Sequence, residues 1–413
     1  MQYIITEISP NCQLIYKQIN SPVAHFAVFT ECGTRHERDF PEGIAHFLEH
    51  MVFKGTTKRK TYHILSGLEN TGCDVNAFTS KEELVLHASF LEEYGSRIIG
   101  LFAEIMFDST FPEQEIEKER NVILDEIAML KDSPADILLE EYEKLLFGKH
   151  PLYREILGDK KNLKQVDRKT MLDFYNNVFL KSRKVILYYG KKSHAKVEKM
   201  IRSSFGEYLS AIDEDVLTTE FSEVEPIIFN TVKKVNTHQT HVAMGAPAYD
   251  VRNPKKNALG LLVNVLGGQA FNSRLNLVVR EKYGLSYSID AFYNIFADSG
   301  YWSIYFSAEK GGPEKTLSII HKELKKLREQ KIGTLQLHIA KKQLIGQTAI
   351  FLDSAPSDLI SAGKTFLYSG KVPTFEEVRT KIEQIDAMQM LEIANEVMQA
   401  EQISTLTYLP KGK

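Results

Sequence analysis

The chain has 413 residues, with 51 basic against 54 acidic side chains, a formal charge of −3 and 43% hydrophobic residues. Such a composition is that of a globular protein without the basic field that nucleic acid selects, and no apolar run reaches the roughly 18 residues of a membrane helix. The length exceeds what one hydrophobic core fills and points to two or three domains.

Runs rich in β-branched and aromatic residues at 2–8, 13–19 and 23–31 predict strands, with Ser9-Pro10-Asn11 as a turn. Helical spacing follows at 43–54 and 60–69, and strand character returns at 73–79 and 83–90. Residues 92–147 read as almost wholly helical, with stops at Phe111-Pro112 and Ser133-Pro134. A strand at 184–190 and a helix at 195–205 close the first half, and the acidic stretch at about 206–226 is the expected linker. The second half repeats the order, with strands around 227–246, helices at 256–266 and 271–283, two strands and a helical tail. Asp74-Val75-Asn76-Ala77-Phe78 parallels Ser288-Ile289-Asp290-Ala291-Phe292, an offset of 291 − 77 = 214. The expected fold is therefore α+β: two similar domains, 1–212 and 225–413, each a mixed and mostly antiparallel sheet packed with helices. Cys12, Cys32 and Cys73 lack CxxC or Cys/His spacing and are expected to be reduced, buried thiols. With no basic and apolar leader at Met1, a cytoplasmic chain is expected.

The sharpest motif is His46-Phe47-Leu48-Glu49-His50, preceded by Pro41-Glu42-Gly43 as a helix start. Histidines four apart on a helix share one face and can reach one ion, and Glu49 lies beside that face. This is HExxH in reverse. A catalytic zinc takes three protein ligands and leaves a position open, so another ligand is required. In residues 115–130, Glu119 and Glu126 are seven apart on a stripe with Val122, Ile123 and Leu130. Carboxylates on such a stripe either meet a cation, such as a metal, or lie at its border and pair with Lys118 and Arg120. Spacing leaves both open.

HFLEH, followed 126 − 50 = 76 positions later by the last Glu of an E-R-x-V-I-L-x-E helix, resembles the inverzincin metallopeptidases. These include pitrilysin, insulin-degrading enzyme and the mitochondrial processing-peptidase subunits, with a short, homodimeric bacterial branch. Glu31-Cys32-Gly33-Thr34-Arg35, Met51-Val52-Phe53-Lys54-Gly55-Thr56 and Asp74-Val75-Asn76-Ala77-Phe78-Thr79 fit the same family. The resemblance implies one zinc per chain on His46, His50 and Glu126, Glu49 as general base, and Glu119 as a supporting carboxylate. It also implies that extended peptide pairs with the strand through Asn76, Ala77 and Phe78. Leu84 and Leu86 stand where the family often has Thr and Tyr, which implies an altered pocket lining.

The second half has no HxxEH, and its matching helix carries Leu261, Leu262, Val263 and Val265 where histidines would be needed. Its Gly267-Gly268 turn lacks the Lys-Ser/Thr of a P-loop. By resemblance, Arg280 and Tyr287, seven apart, are the substrate-binding pair, donors suited to an oxygen that gains charge. With both motif sets in one chain, a homodimer is expected, and the resemblance implies that Arg280 and Tyr287 act in trans. His238 and His241 fall on opposite sheet faces, and His36, His63, His87 and His150 read as structural or surface residues. The expected function is a zinc-dependent endopeptidase acting on short or unfolded peptides in an enclosed dimer chamber. The alternative is a zinc-containing peptide-binding or scaffold subunit.

Overall fold

Alternation along the central strands decides how each sheet is covered. In a computed structural model describing residues 3–210, 219, 221, 227–309 and 311–411, the first compact unit comprises Met1–Ala128, Arg154–Glu220 and Phe351–Val372. Its strands are β1 (Ile4–Ser9), β2 (Cys12–Gln18), β3 (Val23–Thr30), β4 (Asp74–Thr79), β5 (Leu84–Leu91) and β6 (Lys184–Gly190), in the order β1-β2-β6-β3-β5-β4. Strand β6 runs parallel to β2 and antiparallel to β3, and all its residues are buried. Successive side chains point to opposite faces. Leu14, Phe26, Val28, Ile186 and Tyr188 therefore enter one core with α1 (Ile44–Met51), α2 (Thr61–Glu69), α3 (Gly95–Phe107) and α4 (Glu113–Lys131). Ile15, Ala27, Phe29, Val185 and Leu187 face the helix Ala355–Ser369 on the other side. That helix approaches closely through Gly363, where a Cβ would lie 2.3 Å from the Phe29 ring.

The second unit comprises Met129–Tyr153, Phe221–Ile350 and Pro373–Lys413. Strands β7 (Asn230–Val235), β8 (Thr240–Ala248), β9 (Ile289–Ile295), β10 (Gly300–Ala308) and β11 (Ser404–Pro410) form a sheet in the order β7-β11-β8-β10-β9. One face packs on helices Lys256–Gly267, Pro313–Glu329 and Ala387–Val397. The other receives α5 (Pro134–Phe147), whose Leu138, Tyr142 and Leu146 are buried with Ala243, Leu406 and Tyr408.

Without β1, the two sheets share one strand order and one pattern of parallel and antiparallel pairs. Ala77 pairs with Leu86 and Ala291 with Ile304, so the offset of 214 on β9 becomes 304 − 86 = 218 on β10. Beyond the matched alanines the second hairpin runs two residue pairs further, and its strands still end at a four-residue turn. The compact units do not follow the expected boundaries 1–212 and 225–413, because 129–153 packs in the second unit and 351–372 in the first. An amphipathic helix announces that it needs a sheet, not which sheet. The expected helical tail ends in β11, which pairs parallel with β7 and antiparallel with β8. The expected linker starts inside the helix His194–Ser210, and beyond Thr219 and Phe221 its residues 211–226 lie outside the described residues. Among the described residues no helix is long and apolar enough to cross a membrane.

Candidate metal centre

Helix α1 is held by its apolar positions and by its start. Ile44, Ala45, Phe47, Leu48 and Met51 are buried in the first core, which leaves His46, Glu49 and His50 on the remaining face. Gly43 sits at the N-cap with φ 89°, the left-handed region that glycine enters without penalty, and a Cβ there would meet the carbonyl oxygen of Leu157 at 2.5 Å. The buried Glu37 substitutes for a capping side chain: its Oε1 accepts from the amides of Gly43 at 3.0 Å and Ala45 at 3.1 Å.

On that face the histidine rings stand 4.7 Å apart, centre to centre. Nε2 of His46 lies 3.7 Å from Glu126 Oε2 and Nε2 of His50 lies 3.6 Å from Glu126 Oε1. His46, His50 and Glu126 each offer an atom within 4.8 Å of the others, the one group of this kind among the described residues. Tetrahedral ligands at zinc bond lengths of about 2.0–2.1 Å stand roughly 3.4 Å apart, so the spacing and the two-nitrogen, one-carboxylate donor set both fit that ion. Burial, then the charge of His50, pushes the His46 imidazole down to about 3, and neutral imidazole is the ligating form. His50 is oriented from behind, since its Nδ1 lies 3.1 Å from Glu119 Oε2. This leaves Nε2 for a metal. Lys54 donates to the other oxygen of Glu119 at 2.6 Å. His46 has no such support, its Nδ1 being buried without a partner among the described residues.

The alternative pairing of Glu119 gives way here. Lys118 pairs with Glu115, and Arg120 with Glu117 and the carbonyls of Leu163 and Val166, while Glu119 is buried against His50 and Lys54. The buried apolar residues of α4 are Ile116 and Ile123, and of the expected stripe members Val122 is exposed and Leu130 half-buried.

Glu49 accepts from the Thr79 hydroxyl at 2.6 Å. Burial raises its carboxyl above the usual range, against the opposing effects of Thr79 and His50. Asn76, Ala77 and Phe78 lie on β4, an edge strand that among the described residues is bonded only to β5. Leu84 and Leu86 are fully buried in the core, so they do not line a pocket as expected. In the second unit, Arg280 lies over the Tyr287 ring at 4.9 Å and over Phe271 at 5.2 Å. Tyr287 is 80% exposed. Thr79, Lys54, Glu37 and Phe271 are not among the candidates that the sequence offers. Lys54 and Thr79 stood inside quoted motifs, whereas Glu37 and Phe271 carry no local signal.

Residues 14–160 match the family model described as insulinase, peptidase family M16, and residues 165–344 match the peptidase M16 inactive domain. A Bacillus subtilis protein named uncharacterized zinc protease YmxG is 32% identical, with 87% of this chain and 86% of that one covered. The chain belongs to peptidase family M16. A Mycobacterium leprae protein, also named uncharacterized zinc protease, is 29% identical over 91% of this chain and 84% of its own. The M16 fold is shared with a solved Pseudomonas fluorescens peptidase M16 inactive domain at TM-score 0.91 and 19% identity, covering 100% of this chain and 98% of that one. A Helicobacter pylori protease gives 0.90 and 20%, with 99% of each chain covered.

Proposed function

We propose that this M16 chain is a zinc endopeptidase of one zinc per chain, acting on short or unfolded peptides. The convergence of both Nε2 atoms on the Glu126 carboxylate carries the reading. His46, His50 and Glu126 would hold the ion, which when bound supplies Lewis acidity for amide hydrolysis. Glu49 takes the proton of the attacking water and passes it to the leaving amine, and its burial moves it toward the pH range where a base operates. The open edge of β4 accepts an extended chain through Asn76, Ala77 and Phe78, pairing main chain rather than side chains, which a folded substrate cannot offer. Arg280, half-buried, and the exposed Tyr287 on which it stacks are donors for the substrate oxygen. Because one chain carries both motif sets, we propose a homodimer chamber in which that pair serves the partner's metal centre. The free, buried thiols of Cys12, Cys32 and Cys73 suit a reducing compartment such as the cytoplasm. The test is cleavage of a quenched peptide library by wild type and Glu49→Gln at equal zinc content. Cleavage by wild type alone is expected, whereas zinc binding without cleavage by either makes the protein one that captures peptides.

A further inference from the structure

We propose that Thr79 is a positioning residue for Glu49, fixing which carboxylate oxygen faces the reaction; this rests on Glu49 being the base. The Thr79 Oγ1 donates to Glu49 Oε2 at 2.6 Å, while Oε1 has no hydrogen bond among the described residues. A glutamate on a helix face has three rotatable side-chain bonds, and nothing else among the described residues bonds its carboxylate. One donor on Oε2 removes most of that freedom and leaves the lone pairs of Oε1 for a proton.

The donor itself is rigid. Thr79 is 9% exposed and ends β4, paired with Leu84 in the sheet, and its β-branched side chain has few rotamers. It follows directly on Asn76, Ala77 and Phe78, the residues proposed to pair with substrate. One strand thus sets the position of the peptide backbone and of the base together. A misplacement of about 1 Å between reacting groups is enough to cost up to 100-fold in rate, so the hydroxyl acts on turnover rather than on binding.

Thr79→Val removes the hydroxyl at constant shape, and Thr79→Ser keeps it. Thr79→Val is expected to retain its zinc and its KM within about twofold while kcat falls by about 10-fold, and Thr79→Ser to recover most of the loss. Crystal structures of the metal-free variants are expected to show the Glu49 carboxylate displaced with Val and in place with Ser. The proposal is overturned by an unchanged kcat in Thr79→Val, by equal losses in Val and Ser, or by an undisplaced Glu49 in the Val variant. Thr79→Ala replaces Thr79→Val under the same criteria if the latter does not fold. Full activity in Glu49→Gln overturns the base assignment and this proposal together. An inactive Glu49→Gln beside a fully active Thr79→Val overturns the positioning alone.

Discussion

Glu119 shows how a single buried carboxylate is made tolerable. It meets His50 Nδ1 at 3.1 Å and Lys54 Nζ at 2.6 Å, so both oxygens are engaged and the imidazole is turned with Nε2 outward. Glu119→Gln keeps the size and removes the charge, and zinc affinity measured by chelator competition is expected to fall about 10- to 100-fold. An unchanged affinity contradicts the assigned role. Lys184 is the opposite case, a fully buried ammonium donating to the carbonyls of Phe179, Leu180 and Ser182 at 2.8–2.9 Å. Burial pushes it down from 10.5 to about 8. The folded chain then releases this proton before the unfolded one does, and the contribution of this residue to stability rises with pH between those two values. Lys184→Met is expected to cost about 3 kcal/mol near pH 7 through the lost hydrogen bonds. In denaturant titrations the gap from wild type should widen above pH 8, and a narrowing gap contradicts the assignment.

Among the elements, the helix Ala355–Ser369 depends on the absence of one methyl group. With the Phe29 ring 2.3 Å from where a Cβ would stand, Gly363→Ala should destabilise the protein by about 1–3 kcal/mol, and Phe29→Leu in that background should recover part of it. Equal stabilities of wild type and Gly363→Ala in thermal unfolding would contradict this packing. The sequence announced α1 and the strands because their periods are strong and local: 44, 45, 47, 48 and 51 cannot be apolar together without presenting His46, Glu49 and His50 elsewhere. It did not announce that α5 and Ala355–Ser369 pack on sheets from the other half of the chain, since that choice lies in distant shape complementarity. Nor did it separate β11 from the helices before it, because seven residues of period-two pattern are brief beside a long helical run. On α4 the expected stripe holds in part: Glu119 and Ile123 are buried, together with Ile116, whereas Val122 is exposed. The three residues that converge, His46, His50 and Glu126, were legible from spacing and resemblance, while Thr79 and Lys54 became meaningful only when tertiary structure brought their polar ends to Glu49 and Glu119.

At the scale of the whole molecule, two units whose sheets share one strand order apart from β1 carry different equipment, a candidate metal-binding group in the first and an Arg-aromatic stack in the second. If the stack serves a partner's metal centre, mixing Glu49→Gln with Arg280→Ala subunits should restore about a quarter of wild-type activity, since half the dimers are hybrid and each has one intact site. Activity no higher than that of the separate variants contradicts the trans arrangement. In the proposed reading, His46, His50 and Glu126 hold the ion on which peptide hydrolysis depends. The most direct measurement is a zinc titration of metal-free protein with peptidase activity followed at each addition. Activity is expected to rise in proportion to zinc and level at one ion per chain, with Glu126→Gln shifted to much higher zinc. Hydrolysis that proceeds at full rate without zinc, or a Glu126→Gln curve that overlays wild type, would contradict it.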